Sequence, residues 1–311
     1  MLAYFAAIQV GLPLLLIVAH ALIPAGSWVG FIARVAALAI VIAAVAMTGL
    51  WLFPPWWTPY ALLVLVALAS WPAARRLRSA RQRGRIWQGA EILVALVIAV
   101  WPGLQVVNAM NGRADQPGAI DLARPLGDGQ YLVMSGGHDL ATNAHLMTLA
   151  PGFERYRGQS YAVDLIAVDG AGLRADGISP QDPAKYAIYG TDVIAPCAGE
   201  VISAENQVAD MPAGTRDREH MLGNHVLLAC DKAQVLMGHL APGTVAVEVG
   251  DMVTTGQVLG KVGNTGNTDE PHLHIHAQTA GTGDEPVNAQ PLPITIEGQT
   301  LWRNMILDWR R

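Results

Sequence analysis

The sequence predicts two unlike parts: an N-terminal α-helical membrane region of four transmembrane helices, and a mainly β C-terminal domain built as an antiparallel sheet or sandwich. Three observations predict it. Before about residue 105 apolar residues dominate and charge is almost confined to one short run, whereas Asp, Glu, Gly and Pro afterwards occur as in soluble domains. Four apolar stretches approach the ~20 residues a helix needs to cross hydrocarbon. Beyond them lie short β-branched runs separated by turn residues, with no long amphipathic helix between.

The four apolar stretches are residues 2–22, 28–50, 57–74 and 86–104. The first lacks a basic n-region and a small-residue cleavage site, so it reads as retained rather than as a signal peptide. Trp51-Leu-Phe-Pro-Pro-Trp-Trp-Thr-Pro-Tyr60 suits a short interfacial turn, because Trp and Tyr rings sit at headgroup level. Arg75, Arg76, Arg78, Arg81, Arg83 and Arg85 form the strongly basic loop, which the positive-inside rule places in the cytoplasm. The fourth helix then runs outward, and both termini lie outside. Arg34, near the inner end of the second helix, agrees with that orientation.

Residues 105–128 read as a linker, 129–295 as the soluble domain and 296–311 as a C-terminal tail. The strand candidates are Tyr131–Met134, Tyr161–Val168, Asp192–Ala195, Glu200–Ala204, His225–Cys230, Gln234–Met237, Gln257–Val262 and His272–Gln278. A polar insertion, 169–190, separates two of them, and loops of that length are commonly functional. The chain carries a formal charge of −5, and its basic residues before 105 are Arg34 and the arginine run, so the soluble part is acidic. That argues against a nucleic-acid partner. Cys197 and Cys230 are not spaced as CxxC, which leaves a single bridge as their reading. An oxidising compartment and adjacent antiparallel strands favour that bridge.

The chemistry is concentrated in His272-Leu-His274-Ile-His276. In a strand, residues i, i+2 and i+4 share a face, so three imidazoles line one surface while Leu273 and Ile275 pack on the other. Imidazole and carboxylate are zinc ligands, and a catalytic site keeps three protein ligands with one position open. Neither HExxH nor GxSxG is present, so Glu-based zincin and serine-hydrolase mechanisms are not indicated.

Gly223-Asn-His-Val226, Gly238-His-Leu240, Gly250–Val253, Gly256–Gly260, Gly263-Asn-Thr-Gly266 and Pro271-His-Leu-His274, in that order, resemble the lysostaphin-like, LytM-type zinc metalloendopeptidases. The resemblance covers about residues 130–290. It implies a groove-bearing β-fold of duplicated hybrid-motif type, a Zn2+ cofactor and a peptidoglycan peptide as substrate. It also implies zinc on His274, with His272 and His239 as catalytic imidazoles. Asp164 in Gln159-Ser-Tyr-Ala-Val-Asp-Leu165 fits the family's ligand Asp, but Ser160 stands where the HxGxD motif has its His. A family branch takes that His from an upstream Gly-Gly…Asn-x-His pattern, and Gly136-Gly137 through Asn143-Ala-His145 resembles it. The ligand set implied is therefore His145, Asp164 and His274, with His138 as runner-up to His145. His276 receives no role, and neither do His220 and His225. The expected protein is a multi-pass enzyme of the bacterial inner or plasma membrane, facing the bilayer on one side and the wall on the other. The alternative is a non-catalytic LytM-like regulator that activates other wall hydrolases.

Overall fold

The computed structural model describes residues 7–79, 84–281 and 287–310. The chain divides into two compact units, Met1–Met110 and Asn111–Arg311.

The first unit is helical. Its elements are a π-helical turn at Ala7–Gly11, then α1 (Leu12–Leu22), α2 (Trp28–Thr48), α3 (Thr58–Ser79) and α4 (Arg85–Asn111). Three of these helices are long and apolar enough to cross a membrane, while Ala7–Leu22 forms a shorter apolar helix. Of the four spans expected from the sequence, three have helices of spanning length and the first does not among the described residues; residues 2–6 of the first stretch, and Arg81 and Arg83 of the basic run, lie outside the described residues. Ile17, Leu38, Ile42, Leu62 and Val66 make the unit's apolar core. By contrast Leu93, Val97, Val100 and Trp101 on α4 are exposed. A helix apolar on its outer face matches a lipid surroundings.

Ser27 caps α2 by accepting from the Gly30 backbone N–H at 3.0 Å, and Glu91 reinforces that end by accepting from the Gly26 N–H at 2.7 Å. An anionic side chain is favoured there by the partial positive charge of a helix N-terminus. Arg34 lies 3.8 Å from Glu91, and Arg76 donates to the carbonyl of Ala21. The arginines at both helix ends are thus tied to backbone or carboxylate instead of facing the apolar core.

The second unit is mainly β. Its principal sheet runs in the order β14 (Ile306–Asp308), β2 (Gln130–Ser135), β3 (Val163–Ala167), β10 (Leu273–Gln278), β7 (Gln234–Leu240), β6 (Asn224–Ala229), β5 (Gly199–Glu205) and β8 (Met252–Val253). The edge strand β11 (Pro291–Leu292) pairs with β10. A two-stranded sheet joins β4 (Asp192–Ile194) to β9 (Val258–Lys261), and a three-stranded one joins β1 (Ile120–Leu122), β12 (Ile294–Ile296) and β13 (Gln299–Thr300). Among the described residues all strand pairings are antiparallel except β1 with β12.

Each of the eight strand candidates forms a strand at its predicted place. Two boundaries need correction. The segment 105–128 is not all linker, because α4 continues to Asn111 and β1 pairs with β12. Nor is 296–311 a tail: β14 pairs with β2, placing Leu307 and Trp309 in the core. These segments were hard to see because each strand has only three residues, too few for an alternation to register.

Leu165, Val163, Leu273, Ile275 and Ala277 fill the core beside Val226, Leu228, Val235 and Met237. Their alternation leaves Asp164, His272, His274 and His276 on the opposite face of β3 and β10. Cys197 and Cys230 are bridged, with Cα atoms 6.1 Å apart, and the register Glu200 with Ala229 is what brings them together.

Candidate metal centre

The register of the central strands assembles the site. On β10, His274 lies opposite Asp164 of β3 on one side and Gly238 of β7 on the other, so the HxH strand, the lone carboxylate and the Gly-His-Leu motif meet at one level. His145 arrives from a 3-10 helix, Ala144–Leu149, that follows β2. A bulge between Val133 and Ser135 brings Ser135 opposite Asp164.

Asn143 holds His145 in place. It is fully buried, donates to the carbonyls of Gly137 and Ala162 at 3.0 Å each, and caps the 3-10 helix through its Oδ1. The same Oδ1 lies 3.0 Å from His145 Nδ1, which leaves Nε2 to face Asp164 Oδ2 at 3.6 Å. Ser160, four residues before Asp164, bonds to Thr148 Oγ1 at 2.8 Å and to the carbonyl of Arg157 at 2.6 Å. It therefore anchors the helix that carries the replacement histidine.

The same discipline recurs around the site. His239 Nδ1 lies 2.7 Å from the carbonyl oxygen of Thr265, and His272 Nδ1 lies 2.8 Å from that of Glu270. A ring nitrogen that donates to a carbonyl keeps its proton, so the other nitrogen presents a lone pair. Thr265 reaches His239 because Gly223 and Gly266, both at positive φ, let two loops touch; a Cβ on Gly223 would fall 2.3 Å from Thr265. His239 itself sits at φ 63°, a left-handed conformation that non-glycine residues adopt at a cost. His239 and His272 pack at 4.8 Å between ring centroids with their planes tilted 57°, and His145 meets His274 edge-on at 4.9 Å.

His274 is arranged the other way round. Its Nδ1 faces Asp164 Oδ1 at 3.1 Å, while its Nε2 contacts His276 Nδ1 at 3.0 Å. Two groups of potential ligand atoms result, each within 4.8 Å of one another: His145, Asp164 and His274, and His239, His272 and His274. Zinc bonds to N and O of 2.0–2.1 Å in a tetrahedron require ligand atoms about 3.3 Å apart. The Nδ1–Oδ1 and Nε2–Oδ2 separations of 3.1 and 3.6 Å bracket that value. The first group also supplies the one negative charge, and so fits a zinc ion best.

Electrostatics keep the donors available. Burial pushes the His145 imidazole down to about 4, and burial with the neighbouring His272 and His274 pushes His239 well below the ordinary histidine range. Burial alone raises the carboxyl of Asp164, but the imidazoles of His145, His272 and His274 outweigh it and hold the group far below the usual carboxylate range. Arg303, from the segment before β14, donates to the carbonyls of Met134 and Ala141 at 3.1 Å each, bracing the loop that leads to His145.

The structure thus brings together all five residues that the resemblance singled out. His138, the runner-up, is not among them; its ring packs against Tyr161 at 5.4 Å and lines a groove of about 760 Å3 with Leu146, Met147 and Phe153. His225 bonds to Ser203 and the Gly223 carbonyl, and His220 to Asp217, and neither belongs to a group of potential metal ligands among the described residues. Asn143, Arg303 and His276 carry no role from sequence reasoning. Two of these had a signal: Asn143 as the first residue of Asn-x-His, and His276 as the third same-face imidazole of its strand.

Residues 184–289 match Peptidase family M23. That match covers about a third of the chain. The match contains His239, His272 and His274, whereas Asp164 and His145 precede it. Solved structures that the chain is similar to include a Pseudomonas aeruginosa protein assigned to peptidase M23, with 25% identity over 35% of this chain and 39% of that one, at a TM-score of 0.25. Another is the catalytic domain of lysostaphin from Staphylococcus simulans, with 23% identity over 42% of this chain and 74% of that one, at a TM-score of 0.27. A third is a catalytic-domain variant of the prophage-encoded M23 protein EnpA from Enterococcus faecalis, with 26% identity over 34% of this chain and 74% of that one, at a TM-score of 0.21. No curated protein matches. The matched segment is thus preceded by a helical unit with three helices long and apolar enough to cross a membrane.

Proposed function

We propose that this chain is a membrane-anchored zinc metalloendopeptidase that hydrolyses peptide bonds outside the cytoplasm, in peptidoglycan cross-links or stem peptides. One observation carries the reading: the imidazoles of His145, His272 and His274 turn ring nitrogens toward Asp164 at 3.6, 3.6 and 3.1 Å, with His239 beside His272 at 4.8 Å between ring centroids, a metal-ligand geometry with catalytic bases beside it. His145 Nε2, an Asp164 oxygen and His274 Nδ1 would hold the zinc. When bound, the ion supplies Lewis acidity to the scissile carbonyl and lowers the pKa of a coordinated water.

The remaining work belongs to the side chains. His239 and His272, each with Nδ1 pinned to a backbone carbonyl, present Nε2 to the reacting centre. One accepts the proton of the attacking water and the other, once protonated, stabilises charge on the carbonyl oxygen or delivers a proton to the leaving amine. Pinning matters because an imidazole that cannot rotate or switch tautomer is already oriented for transfer.

A regulator that activates other hydrolases needs none of these donors, and all five are retained, which favours catalysis. The arginine run and the helical unit support a multi-pass anchor in the bacterial plasma membrane, with the M23 domain on the outer side. The test is zinc content and cleavage of purified peptidoglycan for single Ala variants of the full chain. His145→Ala, Asp164→Ala and His274→Ala are expected to lose zinc and activity together. His239→Ala and His272→Ala are expected to keep zinc and lose turnover by about 10²- to 10⁴-fold. A wild-type chain that binds zinc stoichiometrically yet cleaves neither peptidoglycan nor its isolated peptides would return the reading to the regulator.

A further inference from the structure

The metal-bearing strand holds a third histidine that this chemistry leaves unused. His276 lies two residues beyond His274 on the same face, opposite Leu236 of β7, and is fully buried. Its Nδ1 is 3.0 Å from His274 Nε2, and its own Nε2 has no hydrogen-bond partner among the described residues. Leaving such a donor unsatisfied in the interior costs about 1–3 kcal/mol. An apolar residue of similar volume would avoid that cost, so stability does not account for a histidine here.

The geometry of His274 does. His145, His239 and His272 each tie down Nδ1 and present Nε2. His274 alone turns Nδ1 toward Asp164. For that nitrogen to bind a cation its lone pair must be free, so the ring proton has to sit on Nε2. An N–H in a dry core needs an acceptor, and His276 Nδ1 is the one in reach.

We infer that His276 is a positioning residue for zinc: it fixes His274 as the Nε2–H tautomer and aims its Nδ1 at the cation position, an inference that rests on the metallopeptidase reading. The unpaired nitrogen is then a consequence, since a His276 that accepts at Nδ1 carries its proton at Nε2. Second partners of this kind orient metal-binding histidines in general, and most are carboxylates or carbonyls. A neutral imidazole in that place adds no second negative charge. Asp164 remains the single anion among the proposed ligands, so less of the ion's charge is neutralised and more is available to polarise substrate.

Two substitutions in the full chain, purified in detergent, separate this role from packing. His276→Gln keeps an acceptor oxygen, whereas His276→Leu removes it while filling the space. Zinc affinity is read by competition with a fluorescent chelator, and thermal unfolding of the metal-free chain reports the fold. His276→Leu is expected to weaken zinc binding about 10- to 100-fold, with metal-free unfolding at the wild-type temperature or above it; His276→Gln stays within a few-fold of wild type. Wild-type affinity in His276→Leu, or equal weakening in both variants, overturns the proposal. So does a loss of affinity accompanied by lower metal-free stability in His276→Leu. A wild-type chain that takes up no zinc fails the metallopeptidase reading itself, a distinct result.

Discussion

Replacing Arg174 with Met tests how the insertion 169–190 governs the site. Arg174 reaches Glu270 through Nε–Oε1 and Nη2–Oε2 contacts of 2.7 and 2.8 Å, and the two side chains are only 3% and 7% exposed. Glu270 stands two residues before His272, and its carbonyl oxygen is the one that pins His272 Nδ1. Removing one member of a buried pair leaves an uncompensated charge, which costs about 3–5 kcal/mol. For a unit the size of Asn111–Arg311, that is a fall of roughly 6–20 °C in the unfolding temperature. Removing both charges is near neutral, so adding Glu270→Leu to Arg174→Met should restore most of the stability. Turnover should fall about 10²-fold in the single variant, because a displacement of about 1 Å at a reacting group has that effect. Thermal unfolding and peptidoglycan cleavage by the purified full chain supply the two readouts. A double variant as unstable as the single one, or a single variant within 1 °C of wild type, refutes the reasoning.

Other outcomes follow from the same geometry. Cys197→Ser with Cys230→Ser opens a loop whose ends are 33 residues apart, and the chain-entropy relation gives a loss of about 4 kcal/mol, measurable by urea unfolding. His145, held at about 4 by burial, binds a proton in the unfolded chain below its ordinary 6.5 but not in the folded one until near pH 4. The unfolded state therefore binds more protons in that window, metal-free stability falls as pH drops from 6.5 to 4, and His145→Gln should flatten that slope. Asn143→Ala removes the hub beneath His145, so zinc affinity should drop about 10- to 100-fold in a chelator competition, while Asn143→Asp retains part of it. Reporter fusions after residue 80 and after residue 120 should report opposite compartments; cytoplasmic signals from both would overturn the proposed orientation.

How far the sequence alone leads depends on how local the cause is. Alternation in His272-Leu-His-Ile-His276 is a property of consecutive residues, and it survives intact in β10. Asp164, the proposed ligand flanked by Val163 and Leu165, is legible for the same reason. Partner choice between side chains distant in sequence is not local. Nothing in the spacing says that His276 meets His274 through one ring nitrogen and leaves the other alone, because ring rotation, not periodicity, decides it. Arg303 was equally hidden: its role depends on β14 pairing with β2, more than 170 residues away in sequence. The helical unit was legible in outline from apolar length, whereas its capping by Glu91 requires two helices to be placed together.

The sheet order also constrains when the site comes into existence. β10 is among the later strands to be synthesised, yet it lies between β7 and β3, the latter made far earlier. Until residues 273–278 have left the ribosome, the two halves of the sheet have no common edge, and Asp164 cannot meet any of the three imidazoles supplied from beyond it. Long-range closure of this kind is the slow step in β-rich folding. A nascent chain thus carries its donors apart, and the proposed capacity to hold a metal marks the completed fold and not a stage on the way.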